Sequence, residues 1–373
     1  MLVYLMLAIR NSGLLHLRSD FDCFCFIHYF VGINLKQRIQ EEVAPFIYTI
    51  KDDASKEYLK QLSDSLAVRL LGSKSESTAQ KYWYSFRKFE QFLATISVTA
   101  SSVQPIHVAL YVTSLLDKGS SFSVASSAVY AIKWVFDLKS LPDPTDNSFV
   151  KNILESAKRN ATKPVNKKDP VSTDMLISLC KMYQHSCDLL TVRNLSMILL
   201  GYAGFLRLNE INCLKCNDVS IKGDYVVLKI RRSKTDQYRD GNTVLISKGE
   251  TEACPFSMLQ RYISLASIDL SSDHFLFKPI YRSKSVCKLI FKNKPLSYTS
   301  TRENILKLLS LVGGHLNLGL HSLRSGGATT VANTEVKDRN WKRHGRWKSD
   351  SSKDGYVVDS VQSRLEVSKH LGL

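Results

Sequence analysis

Glycine and proline are scarce, 17 and 9 in 373 residues, which excludes a collagenous repeat and a Pro/Gly-rich disordered chain. No apolar run approaches the roughly 20 residues that span a bilayer. Met1–Ile9 is broken by Arg10, and Phe21–Ile33 contains Asp22 and His28. No basic segment precedes the first run, so residues 1–50 read as a poorly defined N-terminal extension and no membrane partner is expected. Eight cysteines supply only one CxxC, Cys213 with Cys216, without a second pair or a histidine at ligand spacing; Cys23 and Cys25 stand apart from it. That is no zinc framework and suits reduced thiols in an intracellular protein. P-loop, paired-carboxylate and metal-ligand patterns are also missing, so neither a metal nor a cofactor is expected.

Acidic residues are in deficit, 34 against 51 Lys+Arg, for a net charge of +17. The chain is 44% hydrophobic and long enough for two domains with their own cores. An excess of this size makes a polyanion the first partner to consider, because each cation set against a phosphate releases a counterion. The excess is uneven. Residues 1–50 are neutral, residues 51–160 carry +3, and residues 161–373 carry 33 basic and 19 acidic residues, net +14. Its densest runs are Lys278, Arg282, Lys284, Lys288, Lys292 and Lys294, then Lys337, Arg339, Lys342, Arg343, Arg346 and Lys348. Either run alone is equally well a solvated face.

Residues 51–160 have a helical pattern. Ser77 or Thr78 can cap a helix in which Tyr82, Phe86, Phe89 and Leu93 form one stripe, leaving Lys81, Arg87 and Lys88 off it. Further helices are expected over about 104–117, 123–138 and 147–159, the second with Val124, Ala128, Ile132 and Val135 facing inward. Residues 161–171, ATKPVNKKDPV, read as a linker. In residues 172–373 helices precede a β-hairpin, Tyr225–Ile230 with Thr243–Ile246 around the loop SKTDQYRDGN, and helices resume from Pro255 to the end. The fold class is mainly α with a small β-hairpin or sheet in the second domain.

Four features of the basic half bear on chemistry. Arg207 stands three residues before Glu210, which can orient its guanidinium; the bland reading is a helix-terminal ion pair. Lys234 lies in the hairpin loop, where most lysines are merely solvated. His321-Ser-Leu-Arg324 puts two anion-binding side chains on one helical face, though one HxxR says little alone. Trp347 is followed nine residues later by Tyr356; the bland readings are a core anchor and a surface tyrosine.

In this order the six positions resemble the tyrosine recombinase (phage integrase) family. Its catalytic domain presents an Arg in a GxRxxE-like segment, a hairpin Lys, HxxR, a His or Trp, and a nucleophilic Tyr. The resemblance covers about residues 170–365, and the helical region before it is similar to the family's core-binding domain. It implies a two-domain DNA clamp: a helical core-binding (SAM-like) domain over 51–160 and a catalytic domain over 172–373. Trp347 in place of His and the segment HSLRSGGAT are similar to Cre-like and eukaryotic DIRS-type or Crypton-type recombinases.

The resemblance implies Tyr356 as nucleophile, with Arg207, Arg324, His321, Lys234 and Trp347 catalytic and Glu210 supporting. The chemistry is consistent: a phenol has a pKa near 10 and needs a cationic site and a proton acceptor. Two arginine forks suit the charge that builds on the non-bridging phosphate oxygens. His321 would take a proton or add a donor, Lys234 would protonate the departing 5′ oxygen, and Trp347 would offer its indole N–H. The product, a 3′-phosphotyrosyl link, rejoins without ATP. Double-stranded DNA is the expected partner, contacted by Lys81, Arg87, Lys88, Lys284, Lys288, Lys292, Arg343 and Arg346. A homo-oligomer, a tetramer on paired sites, is implied, located at DNA and in the nucleus if the source is eukaryotic. A catalytically silent transposon-derived DNA binder and a type IB topoisomerase are the competing readings.

Overall fold

The computed structural model describes residue 41 and residues 43–99, 102–161, 167–231, 233, 241–283 and 287–371. Lys234, Lys284, and most of the stretch read as an N-terminal extension lie outside the described residues. The chain divides into two units, Met1–Pro164 and Val165–Leu373.

The first unit is a helical bundle: α1 Asp53–Leu71, α2 Glu76–Thr95, α3 Pro105–Asp117, α4 Phe122–Leu138 and α5 Ser148–Arg159. Asp52 caps α1, its carboxylate accepting from the Ser55 N–H at 2.8 Å, and α3 starts on Pro105, whose fixed φ suits the first helical position. Phe86, Phe89 and Leu93 of α2 meet Val108 and Val112 of α3 and Ile132 and Val135 of α4 in one core. Burying each phenylalanine contributes about 2 kcal/mol. Tyr82 is half-buried against Trp134, 5.8 Å between ring centroids. Two expectations shift. Ser75, not Ser77 or Thr78, holds the N-cap position of α2, and its hydroxyl pairs with Thr78 Oγ1 at 2.8 Å and not with a backbone N–H. Val124 is 50% exposed, because the inner stripe of α4 starts at Ala125 and the first turn overhangs the core.

The second unit comprises α6 Thr173–Met182, α7 Leu189–Ala203, α8 Leu208–Asn212, α9 Pro255–Leu265, α10 Tyr298–Gly313, α11 Leu320–Ala332, α12 Asp338–His344, α13 Asp350–Asp354 and α14 Val361–Lys369. Strands β1 Val219–Ile221, β2 Tyr225–Ile230 and β3 Asn242–Ser247 form an antiparallel sheet in that order. Val226 faces Ile246 and Leu228 faces Val244, so the alternate residues that pair across β2 and β3 are the buried ones. A second hairpin, β4 Ile280–Arg282 with β5 Cys287–Leu289, interrupts the helices expected after Pro255. Its strands are three residues long and mostly exposed, too short for an alternation to show.

Helix α7 is the axis of this unit, buried from Val192 to Gly201 and packed by α9, α10 and α11. Gly327 allows α11 to press against it: a Cβ there would lie 2.4 Å from the Tyr202 carbonyl oxygen. Within the stretch read as linker, the Asp169 and Val171 N–H groups bond the carbonyls of Asn317 and Ser322, at 3.1 and 3.0 Å. The class is therefore mainly α with small antiparallel sheets.

Candidate active site

The site forms where the ends of three elements meet. After α7 the chain turns through Phe205, held at a left-handed φ of +48°, and delivers Arg207 as the N-cap of α8. Glu210, buried, accepts from the Arg207 backbone N–H at 3.0 Å and from its Nη1 at 2.8 Å. The sequence pair Arg207/Glu210 is thus a closed ring of hydrogen bonds that fixes one guanidinium at the mouth of a cleft.

Arg324 comes from the second turn of α11 and is 0% exposed. Its Nη1 donates to the Phe205 carbonyl and its Nη2 to the Gly345 carbonyl at 2.6 Å. Burial, with the Arg207 and Arg346 guanidiniums nearby, pushes its pKa down to about 10, so it stays charged at neutral pH. The Trp347 ring covers it at 4.5 Å and the Tyr356 ring at 5.1 Å. Arg324 Nε and Trp347 Nε1 are buried without a hydrogen-bond partner among the described residues. Such donors are rarely left unpaired, and a phosphate oxygen is the acceptor this charge pattern invites.

Trp347 and Tyr356 are placed by the last short helices. Gly345 is required beside the tryptophan, since a Cβ there would fall 1.7 Å from the indole ring. Trp347 packs edge-on to Trp341 at 5.7 Å and tilted on Tyr356 at 5.6 Å. Lys353 lies buried over the Trp341 ring at 4.5 Å, with its ammonium bonded to Asp338 and 3.4 Å from Asp354. It thereby locks α13 to α12, and Tyr356 follows three residues later. The Tyr356 carbonyl accepts from Ser325 Oγ at 2.6 Å, which ties this backbone to α11. His321, exposed on the otherwise largely buried first turn of α11, has its ring 6.4 Å from that of Tyr356. Arg207, Trp347, Lys348, Ser351, Ser352 and Tyr356 line a cleft of about 410 Å³.

Five of the six residues implied as catalytic therefore converge; Lys234 lies outside the described residues. Among the residues read as DNA contacts, Lys81, Arg87 and Lys88 are exposed on α2, and Lys288, Lys292 and Arg343 are exposed on the second unit. Arg346 is not on that surface. It is 8% exposed and its guanidinium points inward, because its backbone adopts a left-handed φ of +59°. Lys278, from the first basic run, is also buried. Phe205, Lys353 and Ser325 were not visible as site residues in the sequence. Their roles come from a positive φ, an ammonium turned inward and a backbone contact across 31 positions.

His344 closes the floor. Its Nε2 bonds the Ala203 carbonyl at 2.8 Å and its ring packs edge-on to Phe205. Burial, reinforced by Arg346 and Arg324, holds its pKa below the ordinary 6.5 despite the carbonyl contact. The folded form thus binds the proton more weakly than the unfolded chain, so the stability His344 contributes is complete above that value and declines as pH falls below it. Denaturant unfolding from about pH 7 to 5 should show the wild type losing stability faster than His344→Gln, whose amide can still donate to Ala203. Parallel curves would contradict a buried neutral His344.

The model of the phage integrase family matches residues 174–362 of this chain. A curated relative, the "Integrase/recombinase xerD homolog" of Selenomonas ruminantium, is 25% identical over 323 residues, covering 84% of this chain and 92% of its own. Among solved structures, the XerH site-specific recombinase in a post-cleavage complex with palindromic difH substrate matches with a TM-score of 0.57 at 14% identity, over 96% of this chain and 99% of that one. The pre-cleavage XerH complex with difH matches at 0.52 and 14% identity, over 91% and 96%. At such identity these two structures speak to the fold.

Proposed function

Because the chain belongs to the phage integrase family, and so is a tyrosine recombinase that breaks and rejoins DNA, we propose that Tyr356 is its nucleophile and that the Arg207–Arg324 pair is its phosphate clamp. The observation that supports this most is the sandwich of Arg324 beneath Trp347 and Tyr356, beside an Arg207 already oriented by Glu210.

The Tyr356 hydroxyl attacks the phosphorus of one DNA strand, giving up its proton to His321, and the P–O bond to the 5′ carbon breaks. Lys234 hands a proton to that leaving oxygen. The two guanidiniums and the Trp347 N–H receive the charge of the pentacoordinate transition state. Since the Tyr356 ring covers Arg324, a phosphate reaches the clamp only as that ring moves aside and its hydroxyl swings into line. Rejoining to a different 5′ hydroxyl reverses the same steps and conserves the bond energy. Lys81, Arg87 and Lys88 of the helical unit, with Lys288, Lys292 and Arg343, hold flanking phosphates of the duplex.

Strand exchange needs paired sites, and a tetramer supplies them. Helix α14 buries none of its residues and leaves Val361 74% exposed, with Leu365 and Val367 also bare. An apolar groove of about 480 Å³, lined by Leu176, Tyr202, Val331, Val336 and Trp341 among others, lies in the same unit and suits the α14 of a second copy. The similarity of Trp347 and the HSLRSGGAT segment to Cre-like and retroelement recombinases extends this reading to a mobile-element enzyme.

Incubation with nicked suicide duplexes carrying candidate sites tests the proposal. A covalent protein–DNA complex that sediments with four protomers is expected. Retarded DNA without any covalent complex would favour a silent binder. Relaxed plasmid without recombinants would favour a type IB topoisomerase.

A further inference from the structure

Arg346 stands in the densest basic run, yet Lys337, Arg339, Arg343 and Lys348 around it are exposed while it is buried. The partners of its Nη1 and Nη2 are all protein groups, and its Nε is buried without a hydrogen-bond partner among the described residues. Nη1 donates to the carbonyls of Gly204, at 3.2 Å, and His344, at 3.0 Å; Nη2 donates to the Phe205 carbonyl at 3.2 Å and to Glu210 Oε2 at 2.8 Å. The last is an ion pair between side chains that are each 3% exposed.

Two of those partners lead to a clamp arginine. Glu210 is the carboxylate that orients Arg207, through its other oxygen. The Phe205 carbonyl is also the acceptor for Arg324 Nη1. Three guanidiniums therefore share one carboxylate and one strained carbonyl. Two backbone positions that disfavour ordinary side chains, Phe205 at φ +48° and Arg346 at +59°, flank this junction. A non-glycine side chain is strained there, so the surrounding contacts must hold it. The planar fork meets acceptors in four directions at once; a lysine ammonium, a single point with three donors, cannot reproduce that.

We infer that Arg346 is a positioning residue for strand cleavage: by fixing Glu210 and the Phe205 carbonyl, it sets the two clamp guanidiniums on one phosphate without touching DNA. The inference rests on the reading of Tyr356 and the arginine pair given above. It assigns to Arg346 a role opposite to the one its sequence context suggests, since a surface cation would act on binding and this one acts on rate.

Single-turnover cleavage of a suicide duplex by the full chain tests this, with Arg346→Met, Arg346→Lys, Glu210→Gln and the Arg346→Met/Glu210→Gln double variant. Arg346→Met should slow cleavage about 10²-fold at saturating DNA, with affinity for the duplex within about threefold of wild type. Arg346→Lys should recover less than about tenfold of that loss, because it restores charge without the fork. The double variant should cleave no more slowly than about the worse single one, since both changes break the same link. Near-ultraviolet circular dichroism identifies any variant that has not folded, and Arg346→Lys decides if Arg346→Met has not. Full recovery by lysine, unchanged cleavage in Arg346→Met, or losses that multiply in the double variant would overturn the inference. Weakened DNA binding with an unaltered cleavage rate would return Arg346 to the DNA surface. Absence of cleavage by the wild type would remove the strand-cleavage reading itself, and this inference with it.

Discussion

Tyr356→Phe is expected to abolish the covalent protein–DNA complex, by at least about 10⁴-fold, while leaving the protein folded and able to retard DNA. The change removes one oxygen and keeps the ring. The contacts with Trp347 at 5.6 Å and with the Arg324 guanidinium at 5.1 Å are ring contacts and survive it. The Ser325 hydrogen bond goes to the Tyr356 backbone carbonyl and is unaffected. Stability should therefore change by less than about 1 kcal/mol. Because the nucleophile has no substitute in a phenyl ring, the remaining complex should be non-covalent. A Tyr356→Phe protein that still forms the covalent species would transfer the chemistry to another residue.

Arg324→Ala has the second largest expected effect. One preorganised donor directed at developing charge accounts for about 10²–10³-fold in rate, and Arg324 also carries Tyr356 and Trp347 on its face, so cleavage should fall by about 10³-fold or more. DNA affinity should fall far less, because the exposed cations of both units remain. The residue is wholly buried, and its loss takes the Arg324 donor from the Gly345 carbonyl and leaves the Phe205 carbonyl with the Arg346 guanidinium alone. Stability should therefore drop as well, by about 2–4 kcal/mol, with relief of the repulsion from Arg207 and Arg346 offsetting part of it. Arg324→Lys retains the charge and separates the two effects: a folded protein that binds DNA and cleaves about 10²-fold more slowly is expected. Equal loss of binding and cleavage in both variants would refute a transition-state role for Arg324.

What was legible in the sequence is what local periodicity controls. Arg207 and Glu210 are three apart, so one helical turn brings them together whatever surrounds them. His321 and Arg324 share a helix, and both come within reach of Tyr356. The stripe of α2 was readable for the same reason, since Phe86, Phe89 and Leu93 repeat with the helical period.

What was not legible depends on backbone direction and on partners far away in the chain. Arg346 has the composition of a DNA-facing residue, and only its φ of +59° turns it inward to a carboxylate 136 positions earlier. Lys353 sits in a polar stretch yet is buried over Trp341, because three nearby aspartates accept its ammonium. The β4–β5 hairpin is too short to impose an alternation on its residues. Charge density located the functional half of the chain, but it did not distinguish cations that meet a polyanion from cations that organise the site.

The central claim, that Tyr356 becomes joined to the 3′ phosphate of a cleaved strand, is tested most directly by trapping the wild-type complex on a suicide duplex. Protease and nuclease digestion, followed by mass spectrometry of the remaining peptide, identifies the linked residue. A nucleotide remnant joined through its 3′ phosphate to the peptide containing Tyr356 is the predicted result. A remnant on any other residue, or one joined through a 5′ phosphate, would contradict it.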